Sequence, residues 1–345
     1  VITSVKIETF RGVREGGVDG LAPISILVGP NNTGKSTVLE AIAVAGLAPD
    51  AHAVAEIVLR RGGPALDALA RVVRQGAERA SVIVQVVIAG QAQEQRADVS
   101  AGGNKKFEWS VEARQEGLQD PMDVLSIGTP QGGRSVVLVD ASGRRADRID
   151  LVNPIVKLAD SFRFVDVEAV RGRGALEDAY TLIDEAGQLA KIVKALSRAM
   201  PSLTDLRILK VGQDFLLHTF FSSGPPVPAY LAGDGFKRFL ELAAAALNVR
   251  KGIVLLEEPE SFQHPRYLEE LATLLHLAAK EGTQVVLSTH SVELIDLLLQ
   301  APEAEGLAYP AVHRLRLVEG KLRATTIDRE SAVIGRRDLL EDLRA

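Results

Sequence analysis

The sequence predicts an α/β fold in which a mixed or parallel sheet carries a phosphate-binding loop, with an antiparallel β region inserted behind it and a helical subdomain. Three observations predict it. The stretch Ile24–Thr37, ISILVGPNNTGKST, passes from a short apolar run through a Gly-rich loop and reopens as the helical pattern VLEAIAVAGL. Two later apolar runs, Lys251–Leu256 and Gln284–Ser288, each end in a polar cluster, as buried parallel strands do at the edge where α/β sheets bind ligands. Between about 52 and 150 the texture changes to short alternating runs separated by Gly, Asn and Asp clusters, which reads as antiparallel strands and turns.

The loop fits the pattern G-x-x-x-x-G-K-[ST], with Gly29, Gly34, Lys35 and Ser36 in the fixed places. Glycine at both positions lets successive N–H groups curl around a phosphate. Lys35 brings a point charge to the β- and γ-phosphates, Ser36 can place a hydroxyl on Mg²⁺, and the helix that follows aims its positive end at the same anion. The whole loop, Gly29, Pro30, Asn31, Asn32, Thr33, Gly34, Lys35, Ser36 and Thr37, is therefore the expected nucleotide cradle.

Composition limits the function classes. Hydrophobic residues make up 46% and charged residues 25% of the 345, as in an ordinary globular chain with a sizeable core. No apolar run approaches the roughly 18 residues of a membrane span, and the N-terminus has no basic-then-apolar leader, so the expected location is cytoplasmic. Cysteine is absent, which excludes disulfides, thiolate zinc sites and a cysteine nucleophile. A formal net charge of −5 argues against a surface uniformly coated by nucleic acid and leaves room for a local basic face.

In chain order, residues 2–9 alternate as a half-buried strand, and Phe10-Arg11-Gly12 turns into a loop. After the strand Ile24–Val28, a helix is expected from Lys35 to Ala45, stopped by Gly46 and Pro49. A short helix at Ala65–Val73 precedes strands at Ser81–Ala89, Lys106–Arg114 and Arg134–Val139. Lys105, Lys106, Arg134, Arg144, Arg145 and Arg148 in this region could contact phosphate backbones or form a solvated loop surface. Residues 150–200 read as helical around one strand, Phe162–Val167. Strands at 206–211 and 214–221 follow, and then Gly233 and Gly235 open a long Ala/Leu helix. That is a second helix N-terminus able to seat an anion, although Asp and Gly are also ordinary caps. Of the carboxylates Glu257, Glu258 and Glu260 after the next strand, one can hold Mg²⁺ and its neighbour can orient or deprotonate water. His290, after Ser288, can reach a γ-phosphate. A polar hairpin around Glu319-Gly320 and a charged helix close the chain. We read it as one domain with segments 1–50, 51–150, 151–232 and 233–345.

These pieces, in this order, make the chain resemble an ABC-type ATPase of the SMC/RecF/OLD branch. It is most similar to AAA-type ATP-binding proteins related to OLD-family nucleases, without their TOPRIM domain. Phe10-Arg11-Gly12 resembles the N-terminal FRG element and Gly29–Thr37 the Walker A. Gly233–Arg238 resembles a degenerate signature motif, Leu255–Pro265 (LLEEPESFQHP) the Walker B and D-loop, and Ser288–Ser291 the switch histidine. The resemblance implies ATP and Mg²⁺, with Glu258, His290 and Lys35 catalytic and Ser36 and Glu257 on the metal. It implies nucleotide contacts from Arg11 and, in trans from a second subunit, from Gly233, Asp234, Gly235 and Lys237. Two departures stand out: Gly233-Asp234 replaces the Ser-Gly of transporter signatures, and Glu257 replaces the usual Walker B Asp.

Sustained heptads between Walker A and Walker B are missing, as is any cysteine for a zinc hook. The stretch after His290 is too short for a TOPRIM nuclease, so the expectation is a separate nuclease partner or an ATPase fragment. The function expected is an ATP-dependent homodimeric switch that acts on duplex DNA or regulates a DNA-processing partner, in defence against foreign DNA or in repair. Two rivals differ in class. A transporter ATPase subunit would carry an LSGGQ-like signature, and a scaffold without turnover would lack a carboxylate such as Glu258.

Overall fold

A computed structural model of the protein describes residues 1–48, 50–60, 65–88, 90–101, 122–128, 134–140, 142, 145–150, 162–166, 174–300 and 310–344. In chain order the strands are β1 (Ile2–Phe10), β2 (Val13–Asp19), β3 (Ile24–Val28), β4 (Ala80–Ile88), β5 (Gln91–Ala101), β6 (Met122–Gly128), β7 (Arg134–Asp140) and β8 (Arg145–Asp150). They continue as β9 (Phe162–Val165), β10 (Leu203–Val211), β11 (Asp214–Phe221), β12 (Val227–Pro228), β13 (Ile253–Glu257), β14 (Gln284–Ser288), β15 (Ala311–Val318) and β16 (Lys321–Ile327). The helices are α1 (Lys35–Leu47), α2 (Ala51–Leu59), α3 (Ala65–Ala70), α4 (Ala175–Glu185), α5 (Leu189–Ala199), α6 (Asp234–Asn248), α7 (Pro265–Lys280), α8 (Val292–Leu299) and α9 (Arg329–Arg337). The fold is α/β with a large mixed sheet, as the sequence predicts.

The chain forms two interleaved compact units. The first comprises Val1–Leu21, Gly29–Phe162 and His313–Thr326. Its strands run in the order β8-β7-β6-β5-β4-β1-β2-β16-β15, and every neighbouring pair from β8 to β2 is antiparallel. Helix α1 packs on β1 and β4, and α2 on β6 and β7. Every residue of α1 from Val38 to Gly46 is buried, and all of these but Glu40 are apolar or glycine, so this part of the helix has no solvent stripe and belongs inside.

The second unit comprises Ala22–Val28, Arg163–Val312 and Ile327–Ala345. Its strand order is β3-β14-β13-β9, and the β3–β14 and β14–β13 pairs are parallel. These three strands are short, apolar runs, buried throughout except Glu257 at the end of β13, as strands covered on both faces must be. The core runs from Ile24 and Ile26 through Phe236, Phe239 and Leu240 of α6 to Leu271 and Leu275 of α7. A separate antiparallel sheet, β10-β11-β12, packs by β10 on α5.

Several elements differ from the sequence reading. The stretch after Gly12 is a strand, β2, rather than a loop. Its glycines stand where backbones nearly touch: a Cβ at Gly16 would lie 2.1 Å from Leu322 O, and one at Gly17 2.1 Å from Val5 O. Gly46 does not stop α1. It lies inside the helix, where a Cβ would come within 3.0 Å of the Phe162 ring, so glycine serves packing there. Helix α2 and strands β5, β6 and β8 went unread because their patterns are short or polar, and α3 ends at Ala70, short of Val73. Lys106–Arg114 lies outside the described residues.

Candidate functional site

The chain passes from the second unit to the first between Val28 and Gly29, so the candidate residues fall into two groups. In the first unit the loop Gly29–Thr37 is shaped by left-handed backbone at Gly29 (φ 141°), Asn32 (φ 63°) and Gly34 (φ 94°). A Cβ at Gly29 would sit 2.6 Å from Leu315 O and 2.9 Å from Thr33 Oγ1, so only glycine fits. Thr33 Oγ1 donates to Pro30 O at 2.9 Å and pins the bend. Lys35 is buried, and its Nζ donates to Gly29 O at 2.8 Å and Pro30 O at 2.9 Å, which keeps the ammonium inside the curl of the loop. Gly34 caps α1 without a side-chain bond, and the first turn of α1 holds no acidic residue, so the helix's positive end is uncompensated by its own side chains. Pro30, Asn31 and Asn32 are exposed, while Gly34, Ser36 and Thr37 are half-buried.

Arg11, at the FRG turn, has left-handed backbone (φ 54°). Its Nε donates to Glu40 Oε2 at 3.0 Å and its Nη2 to Val58 O at 3.1 Å. Arg60 Nη1 donates to the other Glu40 oxygen at 2.5 Å, and Glu40 is only 1% exposed. Two guanidiniums therefore share one buried carboxylate. Arg11 also lines a cavity of about 810 Å³ with Gly12, Asp67, Ala70, Arg71, Val73, Arg74 and Gln75. Three arginines against one aspartate give that cavity a positive lining.

In the second unit the parallel register pairs Glu257 with Ser288 and Ser288 with Leu27. The residues after β13 and β14 thus leave the sheet at the edge where β3 runs into Gly29. Glu258 adopts left-handed backbone (φ 44°), and its N–H donates to Ser288 O at 3.0 Å. Its Oε1 lies 3.8 Å from Nε2 of His290, and both side chains are about two-fifths to one-third exposed, at 41% and 34%. Glu257, half-buried, ends β13.

At the start of α6, Gly233 and Asp234 are exposed and the N-terminus has no side-chain cap. Lys237 Nζ bonds Asp234 Oδ1 at 3.2 Å. A Cβ at Gly235 would lie 2.6 Å from Phe262 O, so glycine there admits the Phe262 backbone, whereas Gly233 meets nothing within 4 Å. Tyr230, Leu231 and Phe262, flanking this end, are 54%, 65% and 60% exposed.

Four charged residues, given no such role by sequence reasoning, organise this half. Arg238, 1% exposed, donates to the carbonyls of Asp166 and Glu257 and to Glu241 Oε2. It ties α6 to the ends of β9 and β13. Burial pushes the Glu241 carboxyl up to about 7, although Arg238 opposes the shift. Glu260 Oε1 accepts from the N–H groups of His290 at 2.7 Å and Ser291 at 3.2 Å. Arg344 Nη1 donates to His290 O at 2.7 Å. The one sequence signal was Arg238 itself, a cation set among the apolar residues Phe236, Phe239 and Leu240.

Lys105, Lys106 and Arg144 lie outside the described residues. Arg134, Arg145 and Arg148 belong to β7 and β8. Among the described residues no group of three or more His, Asp or Glu could hold a metal, and no helix is long and apolar enough to cross a membrane.

Residues 134–296 match the AAA_21 family, described as "AAA domain, putative AbiEii toxin, Type IV TA system". The uncharacterized protein MJECL11 of Methanocaldococcus jannaschii is 40% identical over 76 residues, 22% of this chain and 67% of that protein. A Methanothermobacter marburgensis protein described as "Putative ABC transporter ATP-binding protein" is 36% identical over 70 residues, 20% of this chain and 24% of that protein. The crystal structure of an Smc head bound to the C-winged helix domain of ScpA is similar over 96% of this chain and 99% of that one, with a TM-score of 0.56 at 15% identity. An Smc head with an extended coiled coil, bound to the C-terminal domain of ScpA derived from Pyrococcus furiosus, is similar over 99% of both chains, with a TM-score of 0.51 at 12% identity. At these identities the two structures establish the fold.

Proposed function

We propose that this chain, an ABC-type ATPase with an SMC-like head fold, is a slow ATP-hydrolysing switch that dimerises on ATP. The observation that carries the reading is the register of β3, β14 and β13, which pairs Glu257 with Ser288 and Ser288 with Leu27 and sets Glu258 3.8 Å from His290. The loop's chemistry suits a triphosphate: left-handed backbone at Gly29 and Gly34 curls the chain, Lys35 supplies the cation and α1 supplies oriented amides. Ser36 and Glu257 have the oxygen chemistry to hold Mg²⁺, which would neutralise charge on the phosphates. Glu258, accessible and close to His290, accepts a proton from water, and His290 presents its imidazole to the developing charge. Arg11 and its positive cavity supply a further seat for the nucleotide in the first unit. OLD-like kinship, action on duplex DNA and a separate TOPRIM-like nuclease partner rest on the sequence resemblance.

Charge on the γ-phosphate must also be stabilised from the open side. The exposed, uncapped start of α6, with Gly233, Asp234, Gly235 and Lys237 and the apolar rim of Tyr230, Leu231 and Phe262, suits a second copy closing the site in trans. Glu258→Gln is expected to bind ATP normally, to hydrolyse it at least about a hundredfold more slowly, and to accumulate as an ATP-bound dimer. Wild-type turnover in this variant would remove Glu258 from the mechanism. Light scattering that finds it monomeric under saturating ATP and Mg²⁺ would remove the trans closure.

A further inference from the structure

Both peptide groups of the switch histidine are gripped by charged side chains from elsewhere in the second unit. Its N–H goes to Glu260 Oε1 at 2.7 Å, and its carbonyl accepts from Arg344 Nη1, 54 residues later in the chain, at 2.7 Å. The rest of the Arg344 guanidinium is fixed by Asp342, with Nε on Oδ1 at 2.8 Å and Nη2 on Oδ2 at 2.8 Å. Those bonds, the Arg344 side chain first, draw the Asp342 carboxyl down to about 2.

The segment that carries Arg344 is firmly seated. Leu343 is 1% exposed and belongs to the core of the unit. Arg336 of α9 holds Asp296 of α8 through both oxygens, at 2.7 and 2.8 Å, and donates to Glu341 O at 2.8 Å. Helix α8 in turn starts from the Ser291 cap, directly after His290. The switch loop, α8 and the stretch Asp338–Arg344 are therefore linked at both ends.

We propose that Arg344 is a positioning residue for hydrolysis: with Glu260 it fixes the peptide on each side of His290, so that the imidazole is held beside Glu258 and the segment Asp338–Arg344 becomes an input to turnover. This rests on His290 serving the ATPase reaction. Arg344 and Asp342 side chains are 36% and 46% exposed, so removing this contact lets water replace it at small cost to folding. A displaced imidazole, by contrast, costs rate, because catalytic groups must keep their geometry within a fraction of an ångström.

The test compares Arg344→Ala, Arg344→Lys and Asp342→Asn by steady-state ATPase kinetics, ATP titration and NMR of ¹⁵N-histidine-labelled, nucleotide-free protein. Arg344→Ala is expected to lower kcat about tenfold while ATP affinity stays within about twofold. Arg344→Lys, which keeps one donor for the carbonyl, should recover most of that loss, and Asp342→Asn should fall between them. The imidazole signals of His290 should move in Arg344→Ala while those of His313 stay. A wild-type kcat in Arg344→Ala, or equal losses in kcat and affinity, would overturn the assignment. Should that variant fail to fold, a wild-type kcat in Asp342→Asn overturns it equally. If the wild-type protein proves to hydrolyse no ATP, the ATPase reading falls and the NMR result alone decides whether Arg344 holds His290.

Discussion

Around Gly29–Thr37 the groups that would face a ligand are mainly peptide amides, aimed by left-handed backbone at Gly29, Asn32 and Gly34. Around Glu257–Ser291 they are side chains, held in place by other charged side chains: Glu260 under the loop after β14, Arg344 beyond it and Arg238 behind β13. The first arrangement costs conformational freedom, which glycine supplies cheaply. The second requires charge to be buried, which is costly unless every partner is in place. Substitutions should consequently fail in different ways, those in the first region losing ligand and those at the buried charge of the second, Arg238, losing fold.

The largest effect is expected at Arg238. Removing it leaves the carbonyls of Asp166 and Glu257 and the carboxyl of Glu241 without their shared donor inside the protein, and leaves the volume of its side chain empty. Arg238→Ala should destabilise the chain by about 3–5 kcal/mol in chemical denaturation. A loss under about 1 kcal/mol would show that buried charge does not organise the second unit and would erase the contrast.

Lys35 is the complementary case. Its ammonium bonds the loop carbonyls of Gly29 and Pro30, which can turn toward water, so Lys35→Ala should cost less stability than Arg238→Ala. It should nevertheless weaken ATP binding about a hundredfold, because the remaining loop donors include neutral amides that match a phosphate's charge poorly. Titration calorimetry with ATP and Mg²⁺ that returned wild-type affinity would disqualify the loop as the phosphate cradle.

The same contrast explains what was legible in the sequence. A backbone-built site is written in glycine spacing, so Gly29, Gly34 and Lys35 could be read directly, and the in-register strands Ile24–Val28 and Gln284–Ser288 were readable as apolar runs. A site built from buried charge is written in no local pattern. Glu260 lies one proline beyond Glu258 and looks like a third strand-end carboxylate, yet its partners are the amides of His290 and Ser291 thirty residues on. Arg344 sits in a charged stretch that reads as solvated surface. Gly16, Gly17 and Gly46 were legible only as breakers, because nothing local reveals that Leu322, Val5 and Phe162 press against them.

The smallest expected effect probes the first unit away from the loop, where it too buries an ionisable side chain. His313 on β15 is 0% exposed, and burial lowers its imidazole to about 4. Thr326 Oγ1 donates to Asp19 O, so it accepts from Nδ1–H of His313 at 3.0 Å. That fixes the neutral tautomer and leaves Nε2, which has no hydrogen-bond partner among the described residues, as the atom a proton would have to occupy. Because the folded value lies below the unfolded value of about 6.5, the unfolded chain takes up the proton first, and stability is lost as pH falls from about 6.5 toward 4. The loss from this residue should be on the order of 2 kcal/mol at pH 5. Glu241 cannot imitate it, since a carboxyl raised by burial favours the folded state as pH falls. His313→Gln keeps a donor for Thr326 without a titrating ring. In urea denaturation at pH 7.5 and pH 5, the variant should therefore gain about 2 kcal/mol on the wild type between the two conditions. Parallel pH dependence of both proteins would mean that the ring is reached by water or protonated where it lies, and that the first unit carries no buried ionisable cost at this position.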